Sequence, residues 1–84
     1  MHLEILTPEH NIYSGNVRGV QLPGIEGSFE ILENHAPMIA SLGNGKMKIL
    51  KDKNETEIFE ISSGFVEVLN NKASVLIEGA TAQM

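Results

Sequence analysis

The sequence predicts an all-β fold: one small domain whose short strands close into a flattened sandwich or barrel. Three observations carry this. Turn-forming residues punctuate the chain at close intervals, at Pro8, Gly15, Pro23-Gly24, Gly27, Asn34, Gly43-Asn44-Gly45, Asp52-Lys53-Asn54, Ser63-Gly64, Asn70-Asn71 and Gly79. The segments between them run about four to eight residues, which suits strands and is too short for free-standing helices. Several alternate apolar and polar residues with a period of two, and the apolar ones are Val, Ile, Phe and Leu. Roughly eight to ten such strands must close on themselves. At 84 residues the chain can bury one core and not two, so residues 1–84 are expected as a single domain.

HLEILT (2–7) and VRGVQLP (17–23) read as strands, the second ending at the Pro23-Gly24 turn. Gly19 inside that run points to a bulge or a close backbone approach. SFEIL (28–32) places Phe29 and Ile31 on one face. ENHAPMIASL (33–42) admits a helix, since Pro37 suits a first turn. Ala36 precedes that proline, however, and is pushed toward extended backbone, which favours a loop leading into a short strand. KMKILK (46–51) and TEIFEIS (56–62) form a hairpin around Asn54. With Asp52 opposite Thr56, Met47 faces Ile61, Ile49 faces Phe59, Lys51 faces Glu57, Lys48 faces Glu60 and Leu50 faces Ile58. That register pairs opposite charges with each other and apolar residues with each other. The last hairpin joins FVEVL (65–69) to KASVLIE (72–78) through Asn70-Asn71, which tolerate the positive φ of a type I′ turn. Val66, Val68, Ala73, Val75 and Ile77 then share a core stripe. The other face carries Phe65, Leu69 and Leu76, more apolar than solvent exposure requires, and is either packed on a second sheet or kept for a partner.

Eleven acidic residues against six basic ones give a formal charge of −5. Phosphate binding wants clustered Lys and Arg, so neither nucleic acid nor an anionic membrane is expected as a partner. Lys46, Lys48, Lys51 and Lys53 are locally basic, but Glu55, Glu57 and Glu60 follow on the facing strand and neutralise them. No run approaches the roughly 18 apolar residues of a membrane span, and MHLEILTPEH has no secretory pattern, so the chain reads as cytosolic.

Catalytic chemistry is sparse. The lack of cysteine removes disulfides, thiolate zinc sites and cysteine nucleophiles together. His2, His10 and His35 show no ligand spacing and read as surface or turn histidines. Glu33 and His35 read as loop residues rather than an acid–base dyad. Gly24-Ile25-Glu26-Gly27 and Gly43-Asn44-Gly45 precede no helix and lack the Lys-Ser or Lys-Thr of a phosphate loop. Ser62-Ser63-Gly64 is not a nucleophile elbow. What remains is a non-catalytic β module, with no cofactor or metal expected, for which interaction is the default role.

The order of the motifs says more than any one of them. LEILTPE near the start, the YSG turn at Tyr13 to Gly15, LPGIEG at Leu22 to Gly27, HAP at His35 to Pro37, SSGFVEV at Ser62 to Val68 and the closing NKASVL together resemble the epsilon-subunit family of F-type ATP synthases over residues 3–80. The resemblance implies a sandwich of about ten strands at the foot of the central rotor stalk. There it would grip the gamma subunit, rest on the c-ring loops, and meet the alpha and beta subunits only indirectly. It would couple proton translocation to ATP synthesis without chemistry of its own, as a peripheral subunit at the cytoplasmic face of the bacterial inner membrane. By position, Glu26, Gly27 and Ser28 match the family's c-ring-facing turn, and Thr7, His35, Ala40 and Ser62 match its gamma-facing positions. Acidic Glu26, Glu30 and Glu33 would meet basic groups on a partner, setting orientation more than affinity.

The departures are specific. Glu33-Asn34 stands where the family often has Pro-Gly. Ser28 stands where an acidic residue is common, and Glu30, of the same strand parity, is the replacement. Ser62-Ser63-Gly64 replaces Ser-Gly-Gly, which restricts the backbone at Ser63. No helical segment follows the sandwich, so neither ATP binding nor inhibition by helix insertion is expected. Two other readings compete: a free-standing sandwich that binds protein or carbohydrate, and a small metal-dependent barrel enzyme built on the three histidines. The first is weakened by the scarcity of aromatic residues, with no Trp, one Tyr and three Phe, of which Phe29 and Phe59 belong to core stripes.

Overall fold

Alternation and frequent turns do produce an all-β molecule. The computed structural model describes residues 1–83, so Met84, the last residue of the expected domain, lies outside the described residues. The strands are β1 (His2–Leu6), β2 (Asn11–Asn16), β3 (Gly19–Gly24), β4 (Gly27–Leu32), β5 (Met38–Leu42), β6 (Gly45–Leu50), β7 (Thr56–Ile61), β8 (Gly64–Leu69), β9 (Lys72–Ile77) and β10 (Ala80–Gln83). A single 3-10 turn, Asp52–Asn54, joins β6 to β7.

Two layers follow from the pairing. One runs β4-β3-β6-β7-β10 and the other β5-β8-β9-β1-β2. Strand β3 links them. It pairs β6 along Gly19–Gln21, then diverges and meets β5 at one pair, Gly24 with Leu42. All neighbours are antiparallel except β1 and β9, which run parallel with Leu3 beside Ala73 and Ile5 beside Val75. The inward parity of six strands is apolar: Leu3 and Ile5, Val20 and Leu22, Met47 and Ile49, Phe59 and Ile61, Val66 and Val68, Val75 and Ile77 are all buried. No polar or charged side chain is buried among the described residues, so packing alone forms the core.

The β8–β9 hairpin forms as expected. Asn70 and Asn71 take φ of 51° and 60° in a two-residue turn, and the expected core stripe is buried. Gly19 proves to be a close approach: a Cβ there would stand 2.7 Å from the Ile31 carbonyl oxygen and from Leu32 Cδ2. Segment 33–37 is a loop leading into β5, and no helix forms there.

Three expectations are corrected. The β6–β7 register is displaced by two residues: Met47 pairs with Phe59, Ile49 with Glu57, Lys48 with Ile58, Leu50 with Thr56, and Lys46 with Glu60. The loop has the expected length but is centred on Lys53, because both Lys53 (φ 59°) and Asn54 (φ 64°) take left-handed backbone and Lys51 N–H closes onto the Glu55 carbonyl at 2.8 Å. A displacement of two preserves strand parity, so the faces are unchanged. Lys51 still reaches Glu57, diagonally, at 2.6 Å. Tyr13 to Gly15 is not a turn but part of β2, paired along β1 from Asn16 to Asn11. Strand β10, paired with β7, was not expected either.

Candidate partner-binding surface

On the outer face of the second layer, strand register brings side chains from four strands into one row. Ser41 of β5 pairs with Phe65 of β8, Phe65 with Leu76 of β9, and Leu76 with Leu6 of β1. At the ordinary spacing of about 4.8 Å per strand this row is roughly 14 Å long. It floors an open groove of about 530 Å³ whose walls add Thr7, Ser63 and Glu78. Phe65 is 45% exposed and Leu76 37%, although both are large apolar side chains. The next row, Ile39, Glu67, Ser74 and Glu4, is mostly polar. The apolar face expected from Phe65, Leu69 and Leu76 is therefore divided: Phe65 and Leu76 share the groove, while Leu69 pairs with Lys72 near the other end of the hairpin.

Backbone bonds make the groove's end rigid. Ser62 N–H donates to the Gly79 carbonyl at 3.0 Å, and Glu78 N–H to the Ser63 carbonyl at 3.2 Å. Ser63 N–H donates to Asn44 Oδ1 at 2.9 Å. Gly64 lies so close to β9 that an added Cβ would stand 2.0 Å from the Leu76 carbonyl oxygen. Ser63 has no positive φ, so the serine that replaces a glycine there carries no backbone strain. Thr7 is half-buried, and its Oγ1 accepts His10 N–H at 3.1 Å, folding the β1–β2 connection over the groove rim.

The β3–β4 hairpin projects from this same end. Ile25 N–H donates to the Ser41 carbonyl at 3.2 Å, and Gly43 N–H to the Pro23 carbonyl at 2.8 Å, which ties the hairpin to β5. Ile25 and Glu26 keep negative φ, and Gly27 takes the +126° that rejoins the strand. Glu26, Gly27, Ser28 and Glu30 are all exposed. Ser28 and Glu30 share the outward parity of β4, while Phe29 packs against the core. A second hollow, about 510 Å³, separates this hairpin from β5, and Ala40 lines it together with Glu26 to Phe29.

The residues matched to gamma-facing positions are thus divided. Thr7 and Ser62 stand at the groove end. Ala40 faces the hairpin hollow with the residues matched to the c-ring. His35 stands at the opposite end, beyond the start of β5, in an exposed loop. Its Nδ1 lies 2.7 Å from the Ala36 carbonyl, which can only accept, so the proton sits on Nδ1 and Nε2 is left as an acceptor in the neutral ring. Asn34 adopts φ of 63°, which explains how an asparagine can stand where glycine is common, and Glu33 accepts from the N-terminal ammonium at 3.2 Å. No group of three or more His, Asp or Glu side chains among the described residues is placed to hold a metal ion. Lys51, hydrogen-bonded to Glu57, is held above the ordinary lysine pKa, and its ammonium lies 5.5 Å from the Tyr13 ring centre.

Sequence reasoning missed Leu6, Ser41 and Ser63 as groove residues. No local signal marks Leu6 and Ser41, which reach Phe65 and Leu76 only through the β1–β9 and β5–β8 pairings, whereas Ser63 stands two residues before Phe65 in the chain.

Residues 1–83 match the family model described as ATP synthase, Delta/Epsilon chain, beta-sandwich domain. Curated relatives include the ATP synthase epsilon chains of Lawsonia intracellularis (46% identical over 80 residues), Chlorobium limicola (46% over 77) and Caulobacter vibrioides (40% over 80). These matches cover 95%, 90% and 95% of the chain. The chain spans 59% of the Lawsonia protein's length, 86% of the Chlorobium protein's and 92% of the Caulobacter protein's. Among solved structures, a chain of the Euglena gracilis mitochondrial ATP synthase (OSCP/F1/c-ring, rotational state 1) is similar with a TM-score of 0.90 at 18% identity, over 95% of this chain and 51% of that one. A chain of the Tetrahymena thermophila mitochondrial ATP synthase central stalk/c-ring gives 0.78 at 22%, over 95% and 64%. At such identities these two likenesses speak for the fold.

Proposed function

The chain belongs to the delta/epsilon β-sandwich family of ATP synthases, and from that premise we propose that it is the central-stalk subunit that links gamma to the c-ring. The observation that carries this reading is the groove floored by Leu6, Phe65 and Leu76, standing at the same end as the exposed Glu26–Glu30 hairpin. Two neighbouring surfaces of different chemistry can engage two partners at once. The apolar groove takes side chains of gamma, with Glu78 at its rim favouring a nearby cation. The acidic hairpin tip meets polar c-ring loops. The subunit performs no chemistry; it transmits rotation as a rigid body, peripheral to the cytoplasmic face of the membrane.

The absence of native cysteine makes a clean test. In the assembled synthase, Thr7→Cys carrying a maleimide photocross-linker is expected to attach to gamma, and Glu26→Cys carrying the same reagent to a c-ring loop, with the partners identified by mass. Cross-links to the opposite partners, or to neither, would sink the assignment.

A further inference from the structure

We propose that Asn71 is a positioning residue for the 33–37 segment, holding His35 where a partner meets it; this rests on the reading of His35 as a gamma contact. Glu33 to Pro37 are all exposed, so apolar burial cannot fix them. Polar ties do so instead. Glu33 is anchored by its N–H on the Arg18 carbonyl at 3.2 Å and by its carboxylate on the N-terminal ammonium at 3.2 Å. One residue nearer to His35, Asn34 N–H donates to Asn71 Oδ1 at 2.7 Å. That is the shortest of these ties, and it is the one that reaches across to the β8–β9 turn.

Asn71 is itself held firmly. Its backbone carbonyl accepts His2 N–H at 3.1 Å, and its φ of 60° is fixed by the type I′ turn. Glycine would serve that turn position at least as well. What glycine lacks is the side-chain carbonyl, and that carbonyl is what fixes Asn34. Position therefore passes from β1 through Asn71 to Asn34 and on to His35. The internal bond from His35 Nδ1 to the Ala36 carbonyl then sets the ring with Nε2 free to accept from a partner's ammonium, guanidinium or hydroxyl donor.

The variants separate turn from tie. Asn71→Gly keeps the positive φ and the bond to His2 but removes Oδ1, and Asn71→Asp keeps an acceptor. We expect Asn71→Gly to raise amide exchange at Asn34 by about two- to tenfold, with β8 and β9 amides unchanged. Affinity for purified gamma should fall by a similar factor, and Asn71→Asp should restore both readouts. Unchanged Asn34 exchange in Asn71→Gly would overturn the proposal. If His35→Ala weakens gamma binding and Asn71→Gly does not, the gamma reading stands and positioning is overturned. If His35→Ala has no effect, the gamma reading of His35 falls, and positioning for that contact falls with it.

Discussion

The two ends of the sandwich are built from similar turns and finished differently. At the Asn34–Asn71 end, loops close on one another through hydrogen bonds and an ion pair; Met1 is buried there, and the exposed Leu32 and Leu69 stand apart, Leu69 among Glu67, Asn70, Lys72 and Ser74. At the Thr7–Ser63 end, the backbone is equally well tied, yet Phe65 and Leu76 stay open to solvent above the bonds. Rigidity is thus common to both ends, and the difference lies in arrangement: Phe65 and Leu76 line one groove with Leu6, whereas Leu69 has polar neighbours. A surface that is apolar, open and rigid binds without first having to order itself.

The contrast can be broken at its foundation. Gly64→Ala would drive a Cβ into the Leu76 carbonyl oxygen and to within 2.8 Å of Ile77 Cα, parting β8 from β9. A loss of about 3 kcal/mol or more is expected in urea unfolding. Gly43→Ala at the same end has no neighbour nearer than 3.9 Å and should change stability by less than about 0.5 kcal/mol. Equal losses would mean that the close strand approach does not support the groove.

Core and groove are separable next. Ile5 is fully buried, and Ile5→Ala should cost about 2–5 kcal/mol. Leu76→Ser, one strand away on the outer face, should cost less than about 1 kcal/mol while weakening gamma binding severalfold. A severe stability loss with unchanged binding would assign Leu76 to the fold and not to the surface.

Asn44→Ala removes the acceptor of Ser63 N–H and should cost about 1 kcal/mol. The smallest effect belongs to Lys51→Met. Because the Glu57 hydrogen bond raises the Lys51 pKa above 10.5, that pair's contribution is fully present below 10.5 and is lost only as pH rises through the raised value. The stability difference from wild type should therefore be small and flat across neutral pH, shrinking in strong alkali. A difference that varies around neutrality would point to another titrating group.

The parts legible in the sequence are those whose signal is local. Asn70-Asn71 sets both the turn and the register of β8–β9, so its core stripe could be written down in advance. Strands β2 and β10 were not legible because they are edges, each paired on one side only. NIYSGN and ATAQ carry little of the alternation that two-sided packing imposes. The β6–β7 register differs for another reason. Cross-strand pairing of like with like favours the alternative two residues away, but the left-handed backbone at Lys53 and Asn54 sets a register that puts Ile49 opposite Glu57 and Lys48 opposite Ile58. At the surface, the outward Phe65 and Leu76 were readable from parity. Their neighbours Leu6 and Ser41 were not, because strands distant in sequence supply them.

The parallel pairing of β1 with β9 bears on how the chain leaves the ribosome. Leu3 emerges first, and Ala73, beside which it settles, lies 70 positions later. At about 5–20 residues per second, the first strand waits roughly 4–14 s for that neighbour. Until then it has only β2, and an isolated hairpin is marginal in water. Nascent chains should accordingly gain protease resistance late and abruptly, once β9 has cleared the exit tunnel.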